Sequence, residues 1–446
     1  QQVETVLRTS REFQGELGNF VRKYYGPALN AWKRTITIMR PGHHVRNYVG
    51  STSATFVRRG ANEFRRSHDD AFKVLMQKNN YRDVDMLSAA ARDGYEGLPQ
   101  GGDTLLSLGS RGDVKVDEVY AFMAEHGALP SFRVSEDFLP TEGGISSFMD
   151  MLSLSNTKVG KLAGGVSEYT DHFTRVQHFM QALRQDAKKF PKRSKKKLME
   201  DSLAETQKYH PDASMLTPME SKIRLAIPFY TWFSKMMPAL VESMIMHPGR
   251  LSMFTKASYN AQVAAGIDPE SLTDPFPDDQ LFPSFIKENP MGPQMNWGGS
   301  YIRVNPGFAH LDVMNSFGAD PFRGLLGMTS PLIRVPAEVI SGGSWQTGGR
   351  IADTSDYIDQ SIPFVNYLSN LTGYSTTGSL AGLLGGQGLD PQKGYQEKAD
   401  GTTNKTELDQ GLTALNWLTG MGFQNLSRPS YVNYAEIEKR NQAGEK

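Results

Sequence analysis

The chain has 446 residues, with 48 Lys and Arg against 48 Asp and Glu, and this formal net charge of zero argues against a general polyanion-binding protein. It contains no cysteine, which excludes disulfide bonds and thiolate metal sites. Residues 1–82 carry 15 basic and 6 acidic side chains and residues 266–446 carry 12 and 20, so we expect the two ends to lie in different surroundings.

Hydrophobic periodicity along most of the chain predicts a mainly α fold. We expect an extended multi-helix assembly with Gly- and Pro-rich irregular segments and at most a minor β-hairpin. Composition predicts five regions: N-terminal basic helices (1–78), a Gly-rich connecting region (79–166), a central helical region (167–265), a Pro-rich irregular region (266–340) and a Gly-rich C-terminal region with terminal helices (341–446). Because the sequence begins with Gln1 in place of Met, we expect a processed product or one segment of a longer polypeptide.

The first region is predicted to hold three helices. Apolar residues recur at helical spacing over residues 1–40, with a joint at Gly26-Pro27, and a further helix runs from His43 to about Lys78. Arginine's planar fork donates in pairs to phosphate or carboxylate. The candidate nucleic-acid contacts of this last helix are Arg58, Arg59, Arg65 and Arg66. Contact with an acidic neighbour and a simple solvated face are the alternatives.

Two short helices, Leu87–Arg92 and Lys115–Glu125, are predicted within the Gly-rich connecting region. A clear amphipathic helix follows over residues 167–190, with Ser167 as its candidate N-cap, and another helix spans residues 195–208. A basic run extends from the end of the first of these helices into the start of the second. It either grips phosphates or an anionic membrane surface, or it forms a solvated linker. Its candidate nucleic-acid contacts are Lys192, Arg193, Lys195, Lys196 and Lys197.

The most apolar stretch, residues 217–250, is predicted to be a broken helix. Pro228 and Pro238 each remove a backbone donor and interrupt it. Lys235 and Glu242 lie within the apolar window, which disfavours an ordinary transmembrane helix of about 20 continuous apolar residues. We expect a buried two-piece helix, with latent membrane contact and a plain lipid span as alternatives. Its candidate partner or membrane contacts are Phe229, Tyr230, Trp232, Phe233, Met236, Met237 and Met244.

The C-terminal half is predicted to be less regular. We expect one helix over residues 251–265 and a single hairpin over residues 297–304. Pro331 and Pro336 suit helix starts, and a last helix is expected over residues 406–418.

No catalytic constellation is recognisable in the sequence. A phosphate-cradling Gly-rich loop, His-Glu-x-x-His and Gly-x-Ser-x-Gly are all absent. Glu242-Ser243 resembles the catalytic pair of lytic transglycosylases, but it lies within the Met-rich helix and lacks the downstream motif of those enzymes. The adjacent His43 and His44 do not share a helix face, which disfavours a metal site. We therefore predict no enzyme activity, no metal and no cofactor for this segment.

Several short motifs occur in a defined order along the chain. They are Arg40-Pro-Gly-His-His-Val-Arg-Asn47, Glu168 to Arg175 with its helix, Thr217-Pro-Met-Glu220, Ile227-Pro-Phe-Tyr-Thr-Trp232, Ser330-Pro-Leu-Ile-Arg-Val-Pro-Ala-Glu338 and Leu415-Asn-Trp-Leu-Thr-Gly420. In this order they resemble a region of large virion-associated proteins of tailed bacteriophages, often called internal virion or large polyvalent proteins. The resemblance covers most of residues 35–440. Phe233-Ser234-Lys235 departs from it, because an Arg- and Asn-containing tripeptide is more usual there.

The resemblance implies a structural or delivery role and brings no catalytic residues with it. We expect an internal virion, or ejection, protein that is stored in the capsid interior, portal or tail lumen, helps to deliver the genome and meets the host envelope on infection. The expected partners are portal, tail or other internal virion proteins and further copies of the same chain, with phage DNA and the host membrane as candidate partners during ejection. The alternatives are a tape-measure-like tail protein and a virion protein associated with a cell-wall hydrolase.

Overall fold

A computed structural model of the chain describes part of its length. The described residues are 19–37, 40–77, 102–129, 158–211, 215–264, 294–297, 300–305, 307–310, 326, 329–343, 412, 415–416, 418–419 and 421–425. The chain divides into two compact units, which are residues 1–39 with 47–250 and residues 40–46 with 251–446. Most of the described residues are helical, which confirms the predicted mainly α fold. The five regions inferred from composition stay a prediction.

The described helices are, in chain order, α1 (Gly26–Thr37), α2 (Pro41–Arg59), α3 (Phe64–Gln77), α4 (Val116–Glu125), α5 (Lys158–Lys189), α6 (Lys195–Tyr209), α7 (Pro218–Ala226), α8 (Met237–Met246), α9 (Pro248–Ala264) and α10 (Pro331–Ser341). Two wider π-helical turns, Val21–Tyr25 and Trp232–Met236, lead into α1 and α8, and a 3-10 turn spans Gly109–Arg111. The strands are β1 (Thr104–Ser107), β2 (Asp113–Lys115), β3 (Gln294–Trp297), β4 (Ser300–Asn305) and β5 (Gly422–Asn425). The predicted helix Leu87–Arg92 lies outside the described residues.

Helix α5 supplies the largest share of the core of the first unit. Its predicted apolar stripe is confirmed, because Phe173, Val176 and Phe179 are buried among α3, α4 and α6 side chains such as Val74 and Met199. The stripe continues through Met180 and Leu183, both fully buried, whereas Tyr169 stays exposed. Burying each such side chain stabilises the fold by roughly 1.5–3 kcal/mol, so α5 organises the helices around it.

The predicted helix from His43 to Lys78 is wrong as a single element, since it is two helices, α2 and α3. Gly60 ends α2 with a φ of +78°, and its N–H donates to the Phe56 carbonyl at 2.6 Å. A left-handed residue of this kind stops a helix, and glycine adopts it without a Cβ penalty. Glu63, with a φ of +61°, completes the turn before α3 begins.

Each π-turn ends two residues before a proline. The N–H of Gly26 donates to the Val21 carbonyl, and the N–H of Met237 donates to the Trp232 carbonyl, five residues back in each case. Pro27 and Pro238 follow. In a regular α-helix a proline ring collides with the carbonyl four residues earlier, and one wider turn relieves that collision. The expected joint at Gly26-Pro27 and the expected interruption at Pro238 are therefore widened turns within continuing helices.

The first unit also holds a small antiparallel hairpin that the sequence did not predict. β1 pairs with β2, with Leu106 opposite Val114, and the 3-10 turn connects them. Immediately after β2, α4 confirms the predicted helix at Lys115–Glu125. The buried Glu118 carboxylate of α4 lies 2.6 Å from the ammonium of Lys195 at the start of α6, so this ion pair joins α4 to α6.

In the second unit, β3 and β4 form the predicted hairpin, and β5 adds a third antiparallel strand. Val304 of β4 lies opposite Phe423 and packs on Leu412. Arg40 donates to both the carbonyl and the side-chain oxygen of Asn416, which joins two of the sequence motifs. Helix α10 begins at Pro331 as predicted, whereas Pro336 lies inside that helix and is not a second start.

Candidate functional site: a broken helix and a buried charged cluster

The apolar stretch is broken at Pro228, as predicted. Helix α7 ends at Ala226, and Phe229 takes a φ of +61°, an unusual value for a residue with a side chain. A reciprocal capping box fixes the start of α7, because Glu220 N–H donates to Thr217 Oγ1 at 3.3 Å and Thr217 N–H donates to Glu220 Oε2 at 2.8 Å. The motif residues Thr217 and Glu220 therefore determine where α7 begins.

Helix α1 covers the break. The rings of Trp32 and Phe229 have centroids 6.1 Å apart, and the fully buried ammonium of Lys33 lies 5.2 Å from the Phe229 centroid. The Tyr25 hydroxyl donates to the Leu225 carbonyl at the end of α7. A cation over an aromatic face is attracted by the ring quadrupole, so two neighbouring side chains of α1, Trp32 and Lys33, hold the ring of Phe229 at the break.

The seven candidate contact residues of the broken helix are covered to different extents. Met236 is buried, and the other six are half-buried: Phe229, Tyr230, Trp232, Phe233, Met237 and Met244. Helix α8 also has exposed apolar side chains that are not among these seven: Val241, Ile245 and Met246, of which Ile245 is 76 % exposed. The lipid- or partner-facing role of this stretch stays a prediction, and the exposed side of α8 is where it would act.

The two charges inside the apolar window are paired with neighbouring helices. Lys235 Nζ lies 2.8 Å from Glu220 Oε1 of α7, and Glu242 accepts from Lys208 of α6. In hydrocarbon each unpaired charge would cost a few kcal/mol. These ion pairs therefore reduce the cost of carrying charge beside an apolar surface.

The four candidate arginines of α2 and α3 fall into two groups. The Arg59 guanidinium bonds both Asp186 and Glu205, and Arg58 Nε lies 3.2 Å from Glu205 Oε1. Both are largely covered, which favours a structural role for them. Arg65 and Arg66 are exposed, and Arg66 makes only a long 3.4 Å contact to Glu63 among the described residues. Nucleic-acid binding by this group stays a prediction.

The basic run after α5 divides in the same way. Lys195 bonds Glu118, while Arg193 and Lys197 share the Asp201 carboxylate, each at 2.9 Å. The Arg193 guanidinium also lies 3.7 Å from the centroid of the Phe190 ring. Lys192 and Lys196 are exposed. They are the members of the run best placed to meet an external anion.

A second feature is a buried cluster of charged and imidazole groups where α2, α5 and α6 meet. We call it the charged cluster, and its members are Thr55, Arg58, Arg59, Asp171, Arg175, His178, Asp186, Glu205 and His210. His178 is its centre: Nδ1 lies 3.2 Å from Thr55 Oγ1 and 3.3 Å from His210 Nε2. On the other side of the ring, Nε2 lies 3.6 Å from Glu205 Oε1.

Arg175 anchors the end of α6 to this cluster. Its Nε donates to Asp171 at 2.9 Å, and its Nη1 donates to the His210 carbonyl at 2.5 Å. The Arg175 side chain is 2 % exposed. Its guanidinium is a hydrogen-bond donor to the carbonyl of His210, which has no helical partner because it lies at the end of α6.

Burial sets the protonation of the two imidazoles. It lowers the pKa of His178, although Glu205 opposes this, and it lowers the pKa of His210 well below the ordinary value, helped by His178 and Arg175. Burial would raise the pKa of Glu205, but His178, Arg59 and Arg58 outweigh it and hold that pKa at about 2. At neutral pH the carboxylate is charged and both imidazoles are neutral.

Part of this cluster was recognisable from the spacing of polar residues along α5. Arg175 belongs to one of the motifs, and it recurs with His178 and Gln181 at helical spacing beside the apolar stripe of α5. Both His178 and Gln181 are fully buried. A polar stripe adjoining an apolar one on a long helix indicates buried polar contacts, but their partners on α2 and α6 are distant in sequence.

Comparisons with protein-family models, curated proteins and solved structures found no match to this chain. Among the helices that the structure describes, none combines the length and the apolar character needed to cross a bilayer. Within the same described part of the chain, the His, Asp and Glu side chains form no group of three that could hold a metal ion.

Proposed function

We propose that this chain is a structural segment of a virion-associated protein of tailed bacteriophages, stored in the particle and helping to deliver the genome into the host. The observation that carries the proposal is that the ordered motifs supply joints of the fold. Arg40 and Asn416 of two motifs bond each other, and Thr217 and Glu220 of a third cap α7. Residues that fix backbone joints serve a scaffold more directly than a reaction.

The helix lengths bear on the tape-measure alternative. The longest described helix, α5, has 32 residues, which corresponds to roughly 48 Å. The other described helices have 9–19 residues and are separated by glycine and proline breaks. A long rod needs helices without such interruptions, so we favour the ejection-protein function.

The decisive experiment compares particles before and after genome release by quantitative mass spectrometry. The proposal predicts that peptides of this chain are present at fixed stoichiometry in full particles and are lost together with the DNA. A major capsid protein of the same particles is the internal control, since its amount does not change. Retention of this chain at full stoichiometry in emptied particles would contradict the ejection function and leave a permanent structural role.

The membrane part of the proposal concerns the exposed side of α8. Ile245 and Met246 are exposed, whereas Met236 is buried. Dye release from anionic liposomes by the purified chain is expected to fall in Ile245→Asp and to persist in Ile340→Asp, whose parent side chain is 87 % exposed on α10. Met236→Asp would instead damage the core, so it tests folding. Equal release by the parent and Ile245→Asp would remove α8 from any lipid contact.

A further inference from the structure

The charged cluster is electrically balanced when its imidazoles are neutral. Three guanidinium groups come from Arg58, Arg59 and Arg175, and three carboxylates come from Asp171, Asp186 and Glu205. The two imidazoles, His178 and His210, are 0 % and 5 % exposed. Any proton that they take up adds a net positive charge to a buried site where solvent screens it poorly.

While the contact between the two rings is intact, only one of the two imidazoles can take up a second proton and become charged. His178 Nδ1 and His210 Nε2 are 3.3 Å apart, so one nitrogen must accept while the other donates. A first proton has a favourable place, because a charged His178 faces Glu205 at 3.6 Å. With both rings protonated, two N–H groups point at each other, and Arg175, whose Nη1 reaches the His210 carbonyl, adds a further repulsion.

The surrounding elements offer no further carboxylate directed at the histidines among the described residues. On α6, Tyr209 packs 5.3 Å from the His178 ring, and Lys208 bonds Glu242 of α8. Arg250, at the start of α9, donates to the carbonyls of Val57 and Arg58, and His247 lies near Arg58. Arg250 therefore adds a cation beside Arg58 and Arg59, and the arginines that oppose protonation of the two histidines are Arg58, Arg59 and Arg175.

We propose that the packing of α2, α5 and α6 is an acid-sensitive latch, in which protonation of both His178 and His210 separates the three helices. The buried rings bind protons less readily than exposed ones, because burial lowers their pKa. The closed packing is therefore favoured above the ordinary histidine pKa of about 6.5 and loses that advantage as the pH falls below it. Glu205, with a pKa of about 2, remains charged throughout this range.

The absence of cysteine from the chain allows a direct distance measurement. Spin labels at Ala61→Cys and Ala204→Cys, both exposed positions, report on the separation of the end of α2 from α6. Between about pH 7.5 and about pH 4.5 we expect the distance distribution to gain a longer component, and we expect His210→Gln to move its midpoint down by at least about one pH unit. This inference does not rest on the proposed function, since it concerns the isolated chain.

A second labelled pair distinguishes the latch from general acid unfolding. Labels at Met76→Cys and Lys189→Cys span α3 and α5, where Arg184 bonds Asp70, and this distance should stay constant while the first pair separates. His68→Gln, which alters a half-buried histidine bonded to Tyr48, should leave the midpoint unchanged. Three outcomes would each overturn the latch. The distance between the first pair of labels could stay constant down to about pH 4.5, or both pairs could move together. The third is a midpoint in His210→Gln that equals the midpoint of the parent. If His210→Gln does not fold, the two labelled pairs in the chain that retains His210 still test the latch, because only the first distance should increase.

Discussion

Lys235 and Glu220 form an ion pair across the break at Pro228, with Nζ 2.8 Å from Oε1. The same carboxylate closes the capping box on Thr217, so it serves both helix pieces. Glu220→Gln keeps the cap and removes the charge. We expect this change to lower the free energy of unfolding by about 0.5–1 kcal/mol, as for other partly exposed pairs.

The stabilisation by the Lys235–Glu220 ion pair should decrease as the pH falls. Lys235 and then the Thr217 backbone hold the pKa of Glu220 below its usual value. The stabilisation is therefore complete above a pH of about 4.5 and is lost as the pH falls below it. Urea unfolding of Glu220→Gln, Lys235→Met and the double variant checks this. Additive losses in the double variant would mean that the pair makes no coupled contribution.

Arg59 is expected to be among the most sensitive side chains of the first unit. Arg59→Met leaves Glu205 and Asp186 buried with one cation fewer, and removing one partner of a buried pair costs about 3–5 kcal/mol. Arg65→Met is the matched control, since Arg65 is exposed, and a change within about 0.5 kcal/mol is expected there. Chemical unfolding followed by circular dichroism measures both. Similar losses in the two variants would contradict the assigned role of Arg59.

Two glycines should respond oppositely to alanine. Gly60 has a φ of +78°, and a Cβ there would lie 3.2 Å from Arg250 Nε, so Gly60→Ala should destabilise the unit by about 1–2 kcal/mol. Gly165 lies within α5 with open space around it, so Gly165→Ala should stabilise it by about 0.5–1 kcal/mol. Thermal unfolding compares them under one condition. A stabilising Gly60→Ala would rule out a strained turn between α2 and α3.

Any affinity for DNA should come from the exposed basic side chains. We expect Lys192→Ala with Lys196→Ala to weaken binding and to reduce the slope of log affinity against log salt by as much as about 2, because each phosphate contact releases about one counterion. Lys73→Ala with Lys222→Ala, which removes two exposed lysines from α3 and α7, is the charge-matched control. Gel shifts at several salt concentrations measure both. Equal slopes for the two double variants would exclude the basic run as the DNA contact.

Local periodicity predicted several helices, whereas long-range pairing was not predictable. The stripe from Phe173 to Leu183 repeats at helical spacing, so most of α5 could be located from the sequence. The predicted N-cap, Ser167, was wrong, because α5 begins nine residues earlier at Lys158 and Ser167 lies inside it. The break at Gly60 was missed because a single glycine is tolerated within a helical pattern. β5 was missed because it has only four residues, and it pairs with a strand more than 100 residues away.

The candidate sites illustrate the same limit. The basic character of Arg59 was evident from the sequence, but its partners are Asp186 and Glu205 on two later helices. The environment of His178 likewise depends on Thr55 and His210, which lie 123 and 32 residues away. Periodicity along one helix predicts which face is buried, but not which side chains of other helices meet it.

The π-turn before Pro238 relates the number of residues in this segment to the presence of that proline. A π-turn is equivalent to one residue inserted into an α-helix, so the segments on either side keep the orientation that they would have with one residue fewer. Deleting Ser234 would restore a regular helical repeat without turning α8, but it would also bring the ring of Pro238 against a backbone carbonyl. Related chains that lack this extra residue should therefore also lack the proline, and a length change here would be accompanied by a substitution at position 238.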